Sequence, residues 1–292
     1  MEMGPILEAF LADVVTDTRV ASPATWDWYR KRVRQFFEWL EGRASADPFT
    51  PAVFRRYIAS LKERNLSPYT LRGHINILHR LGRWLAEKGY AHVDPAASLK
   101  PPRLPQTLPK AASPADIERV VAAAQSEGVR SLAVVLFLRD TGVRAMELVG
   151  LRWRNVDLDR RVAYVVGKGK KARFVFFTEA TAEVLRELAG QVPSGPDDSV
   201  FWGNRRPLSV QALSRLLIRL GKSARTAGPI NPHAWRHAFG RDMTRNGCPT
   251  LALQALMGHS TPAVTMIYSR LDTGELQKVY NRYAAWEEAS SE

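Results

Sequence analysis

Apolar residues recur at helical spacing through most of the first hundred positions. Between 25 and 43 the stripe is Trp26, Tyr29, Val33, Phe36, Phe37 and Leu40, which predicts an amphipathic helix. Thr25 or Ser22 is placed to cap its start. A second helix is expected over 51–64, where Thr50 and Pro51 form a cap and first-turn pair. A third, 67–89, opens on Ser67-Pro68, closes at Gly89 and carries Leu71, Ile75, Leu78, Leu81 and Leu85 in one stripe. Its other faces hold Arg72, His74, His79, Arg80 and Arg83. Such cations serve either a phosphate backbone or plain solvation.

The pattern breaks at 94–110, where prolines stand at 95, 101, 102, 105 and 109. Proline at this density blocks a helix and favours an extended connector. A boundary is therefore expected there, between a helical unit over 1–104 and a second unit over 105–292. Helices are predicted in the second unit at 113–128 and 131–142, with helix and turn at 144–158. Two strands, 161–166 and 172–177, flank the turn GKGKK. Further helices follow at 179–190, 208–223, 233–246, 250–257, 261–268 and 273–287. The fold class is mainly α with a small antiparallel β-sheet. No run of about 18 apolar residues suggests a membrane span. The acidic N-terminus does not read as a secretory signal. A single cysteine, Cys248, excludes an internal disulfide and fits a reducing compartment.

Charge then narrows the function. Lys and Arg number 42 against 29 Asp and Glu, a net +13, and the excess falls in both units. A folded chain this basic attracts a polyanion, nucleic acid above all.

Several residues can carry chemistry on that polyanion. His233 and Arg236 are three apart in a predicted helix and share a face. A histidine there can move a proton, and a guanidinium fork can hold two phosphate oxygens. His233 and His237 also have zinc-ligand spacing, but the acid of a zinc hydrolase is missing, so no metal is expected. His237 reads instead as a structural residue that holds its helix. Gly258 should end the preceding helix. His259 follows it, and Tyr268 stands nine residues further on. Arg144 opens a helix after a Thr-Gly turn, and Glu147 one turn later is either an orienting acid or a solvated one. Lys168 sits between two glycines in the hairpin turn.

Taken together, T-G-x-R-x-x-E-L-x-x-L at 141–151, G-K-G at 167–169, H-x-x-R-H at 233–237, L-M-G-H-S at 256–260 and Tyr268 resemble the tyrosine recombinase, or phage integrase, family, in particular its Xer-like branch. Order and spacing agree: 24 residues from Arg144 to Lys168, 26 from His233 to His259, nine more to Tyr268. Trp235 stands where leucine is more usual. The N-terminal helices match only in type, like the family's core-binding, SAM-like domain.

The resemblance implies a site-specific recombinase that cuts and rejoins DNA without metal or ATP. Arg144 and Arg236 would clamp the non-bridging phosphate oxygens, with His259 as a further donor. His233 would take the Tyr268 proton or assist as a donor. Lys168 would protonate the leaving 5′-oxygen, with Lys170 and Lys171 near enough to stand in. Tyr268 would form a 3′-phosphotyrosine. Arg72, His74, Arg80, Arg83, Lys170, Lys171 and Arg173 are the expected DNA contacts, with Glu147 and His237 in support. The implied partners are double-stranded DNA and a homo-tetramer, or a hetero-tetramer with a second recombinase. The implied setting is the bacterial or archaeal cytoplasm. Over 273–287, Leu276, Val279, Tyr280, Tyr283 and Trp286 form a stripe. By resemblance this helix docks into a neighbouring subunit; the alternative is that it packs at home. Two rivals remain: a monomeric type IB topoisomerase-like enzyme, and a helical DNA-binding regulator without catalysis.

Overall fold

The computed structural model describes residues 3–16, 23–43, 47–105, 111–167, 172–258 and 273–284. The chain divides into two compact units, Met1–Thr107 and Leu108–Glu292.

The first unit is all helical: α1 Met3–Thr16, α2 Pro23–Glu41, α3 Pro51–Glu63 and α4 Pro68–Glu87. Thr50 and Ser67 cap α3 and α4, each accepting from a first-turn amide. Thr25 lies inside α2 rather than at its cap, and Ser22 is outside the described residues. α1 was not anticipated from the pattern. Ile6, Phe10, Leu11 and Val14 bury its inner face, and Trp84 Nε1 donates to Asp13 at 2.7 Å, joining α4 to α1. The core is aromatic. Phe36 meets Phe54 and Tyr57 edge-on, with ring centroids 4.8 and 5.0 Å apart.

In the second unit, α5 Pro114–Glu127, α6 Val129–Thr141, α8 Glu179–Ala189 and α10 Pro232–Arg245 enclose a core that includes Phe137, Leu185 and Trp235. α6 is buried on nearly every side, as a central helix must be. α7 Ala145–Val149, a 3₁₀ turn at Trp153–Asn155, and α9 Val210–Ser223 complete its helical walls. The sheet has three antiparallel strands, β1 Val156–Asp157, β2 Val162–Val166 and β3 Ala172–Phe176, in that order. The sequence indicated only two. β1 is two residues long and has no period to read, and Arg161, at φ 54°, turns the chain before β2 begins. Ala163 and Val165 face the core, while Tyr164 and Val166 face outward.

α11 Thr250–Met257 and α12 Thr273–Tyr283 form a satellite layer over Phe176, Phe239 and Met243. In this chain the stripe on α12 packs at home. Tyr280 is buried against Phe176, and Asn246 Nδ2 donates to the Tyr283 carbonyl at 2.9 Å. Leu276, Val279, Tyr280 and Tyr283 all join that layer within their own unit. Trp286 and the helix expected at 261–268 lie outside the described residues.

Candidate active site

The site is built where the end of α6 and the ends of α10 and α11 meet. α6 stops at Gly142, whose φ of 55° is the left-handed conformation that glycine tolerates best. A Cβ there would also meet the Phe239 ring at 2.7 Å. The turn is anchored by Asp140, which is fully buried. It accepts from the Thr178 amide at 3.0 Å and from the Thr178 and Thr181 hydroxyls at 2.7 and 2.6 Å. A buried carboxylate with this many donors is satisfied, and it locks the exit of α6 to the start of α8.

Arg144 follows at the N-cap of α7. Glu147, buried, accepts from the Arg144 amide at 2.8 Å and from its Nη1 at 2.9 Å. The carboxylate therefore completes the helix start and aims the guanidinium. Arg173, on β3, brings its Nη1 to the same Glu147 oxygen at 2.7 Å. Burial pushes the Glu147 carboxyl upward, but the bonds from Arg173 and Arg144 outweigh it and hold the group below its ordinary value.

α10 starts with Asn231 as cap and Pro232 in the first turn. It buries Trp235 in the core and so points Arg236, on the neighbouring flank, into the site. Arg236 is buried; its Nη1 donates to the Gly142 carbonyl at 2.8 Å and its Nη2 to the Met257 carbonyl. Burial, then the charges of Arg144 and Arg173, lower its pKa to about 9. It stays charged at neutral pH.

Three guanidiniums thus meet the end of one helix. α11 closes on Gly258, φ 64°, and leaves its last carbonyls without helical partners. Arg173 Nε donates to Leu256 at 2.9 Å, Arg236 to Met257, and Arg144 Nη2 to Gly258 at 3.2 Å. The negative end of the helix dipole favours this cation cluster. With one buried acid among three arginines, the corner is strongly positive and suited to an anion with several oxygens.

The other expected residues fall as follows. His233 is exposed one turn before Arg236 on α10. His237 is exposed too, not a structural pin; burial and the charges of His233 and Arg236 lower its pKa. Lys168, Lys170, Lys171, His259 and Tyr268 lie outside the described residues. Arg72 and Arg83 are exposed on α4, and Arg80 lies over the Tyr29 ring at 5.1 Å. His74 is not a phosphate contact. It is buried, its Nδ1 is 3.3 Å from the Tyr57 hydroxyl, and burial lowers its pKa to about 4. Arg173 is likewise turned into the cluster, not out toward a backbone. Its signal was the strand alternation, which puts it on the face of Val175. Among the described residues, no group of three His, Cys, Asp or Glu is placed to hold a metal, and no helix is long and apolar enough to cross a membrane.

Comparison with known proteins places the fold in a family. Residues 111–275 match the Phage integrase family and residues 7–89 match the Phage integrase N-terminal SAM-like domain. The tyrosine recombinase XerC of Xanthomonas campestris pv. campestris strain B100 is 29% identical over 285 residues, covering 94% of this chain and 87% of that one. The crystal structure of XerA recombinase is 28% identical, covers 96% of this chain and 98% of that one, and superposes with a TM-score of 0.50. The Tn1549 transposon integrase in complex with transposon right end DNA shares the fold at a TM-score of 0.71 and 18% identity, over 96% of this chain and 99% of that one. With its catalytic match spanning more than half its length, the chain belongs to the phage integrase family.

Proposed function

We propose that this site-specific tyrosine recombinase breaks and rejoins DNA through a 3′-phosphotyrosine on Tyr268, exchanging strands between two duplexes held by four protomers. One observation carries the reading. Arg144 and Arg236, distant in sequence, bond the adjacent carbonyls of Gly258 and Met257, with Glu147 holding the first and Gly142 the second. A corner of this charge suits the non-bridging oxygens of a phosphodiester. It stabilises the charge that builds as phosphorus becomes five-coordinate.

In this scheme the Tyr268 oxygen attacks phosphorus, and the bond from phosphorus to the 5′-oxygen breaks. His233 takes the phenol proton or assists as a donor. Lys168 gives a proton to the leaving 5′-oxygen, and His259 adds a donor to the phosphate. Attack by a 5′-hydroxyl from the partner duplex reverses the step and frees Tyr268. The phosphotyrosine conserves the energy of the broken bond, so ATP has no part.

The test is covalent capture. A nicked duplex recovered from a randomised pool is incubated with the protein and resolved under denaturing conditions. The reading predicts a protein–DNA band that survives SDS and is lost in Tyr268→Phe. Absence of any such band from the wild-type chain overturns it. Relaxation of supercoiled DNA by a monomer, with no synapsis of two sites, would favour the topoisomerase-like alternative.

A further inference from the structure

Three sequence segments must keep register for this chemistry: the α7 start, the α11 end and the hairpin arm β3. Arg173 touches all three. It stands on β3, two residues beyond the GKGKK turn, and its Nη1 reaches Glu147 at 2.7 Å while its Nε reaches the Leu256 carbonyl at 2.9 Å. Its Cδ lies where a Cβ on Gly258 would fall, 2.9 Å away. So Gly258 is required twice, for its positive φ and to let this side chain pass.

The arrangement is a costly one if its purpose is stability. The Arg173 side chain is only 10% exposed. Its Nη2 is buried with no hydrogen-bond partner among the described residues. An unpaired buried donor costs about 1–3 kcal/mol. Apolar residues of similar volume commonly replace such ion pairs without loss. A guanidinium is kept here for what its fork can reach.

We infer that Arg173 is a positioning residue for the cleavage step: it holds the Glu147 carboxylate that aims Arg144 and fixes the end of α11, from which the chain runs directly into His259. The inference rests on the recombinase reading above. Arg173 acts through its neighbours, and the reacting atoms are handled by others. The charged groups facing Glu147 are Arg144 from its own helix, Arg173 from β3 and Arg236 from α10, among the described residues. Arg173 supplies the strongest of the contacts that keep Glu147 ionised. Removing it should let Glu147 take up a proton at higher pH, and Arg144 then loses its aim.

The experiment compares wild type, Arg173→Met and Arg173→Lys on the duplex recovered by covalent capture, recording DNA affinity, adduct rate against pH, and melting temperature. A displacement of about 1 Å at a catalytic group can cost 10²-fold, so Arg173→Met should form adduct about tenfold to a hundredfold more slowly at unchanged DNA affinity. Its rate should also fail at a higher pH than wild type as the solution is acidified. Arg173→Lys keeps the charge beside Glu147 and should return the acid limb toward wild type while leaving the rate partly reduced. Equal rates and equal acid limbs in all three proteins overturn the inference alone. So does a loss that follows melting temperature with the acid limb in place, since that marks a merely structural role. If Arg173→Met does not fold, the acid limb of Arg173→Lys against Glu147→Gln decides: an unshifted limb in both overturns it. No adduct from the wild-type chain overturns the parent reading, and this inference with it.

Discussion

The two units handle positive charge in opposite ways. In the N-terminal unit, arginines lie on aromatic faces: Arg30 over Trp26, Arg43 over Trp39 and Arg80 over Tyr29 near the surface, and Arg32, half-buried, over Trp28 at 4.0 Å. Its buried titratable ring, His74, is kept neutral. In the second unit, three guanidiniums gather around one acid and one helix end, and Arg236 is buried outright. A surface cation on a ring can shift to follow a polymer, which suits affinity without fixed geometry. A buried cation tied to carbonyls has one place to be, which suits stabilising a single transition state.

That contrast can be broken from either side. The largest effect is expected at Glu147→Ala, which leaves Arg173 buried beside no acid. Breaking a buried pair costs about 3–5 kcal/mol, so denaturant unfolding of the second unit should move by that order; a change below about 1 kcal/mol would mean the cluster is solvated after all. Next, Arg236→Ala should slow adduct formation by about 10²–10³-fold while DNA affinity holds. Arg83→Ala should do the reverse, lowering the salt slope of binding by about 0.9 with the adduct rate at saturation unchanged. If both variants change affinity alone, the division of labour is wrong.

A smaller effect concerns His74. Its folded pKa, about 4, lies below the ordinary value of 6.5. The neutral ring therefore contributes stability above pH 6.5, and that contribution is lost as pH falls through 6.5 toward 4. The loss is roughly 3 kcal/mol at most. Protection factors of α4 amides, corrected for the intrinsic pH dependence of exchange, should fall as pH drops across that window in wild type and change little in His74→Gln; parallel pH curves would contradict the buried neutral ring. Smallest is Trp28→Leu, which removes the platform beneath Arg32 and should cost about 0.5–1 kcal/mol beyond lost packing. Arg32→Met in the same background should then add almost nothing, as a double-mutant cycle would show.

How far this was legible in the sequence depends on the kind of signal. Thr50, Ser67 and Ser113 cap helices because a hydroxyl three residues before an amide needs only local geometry. Gly142 and Gly258 end helices for the same local reason. Arg144, Glu147, His233 and Arg236 were visible through their spacing, yet that spacing says nothing of the carbonyls at 256–258 that gather the arginines. His74 was read from its charge. Its position between Leu71 and Leu78 places it on the buried stripe of α4, and that periodicity was the better guide. The expected DNA contact at Arg173 fails because strand alternation turns that side chain inward. The two-residue β1 and the home packing of α12 depend on partners distant in the chain, and no local pattern announces them.

The central claim is that one phosphate sits in the corner shared by Arg144 and Arg236, facing Tyr268. The most direct measurement is peptide mapping of the protein after covalent capture, in wild type and in Arg236→Ala. The account predicts one modified peptide, carrying a 3′-phosphonucleotide on Tyr268, and its near-disappearance in the variant. A nucleotide on any other residue, or an undiminished adduct in Arg236→Ala, would contradict it.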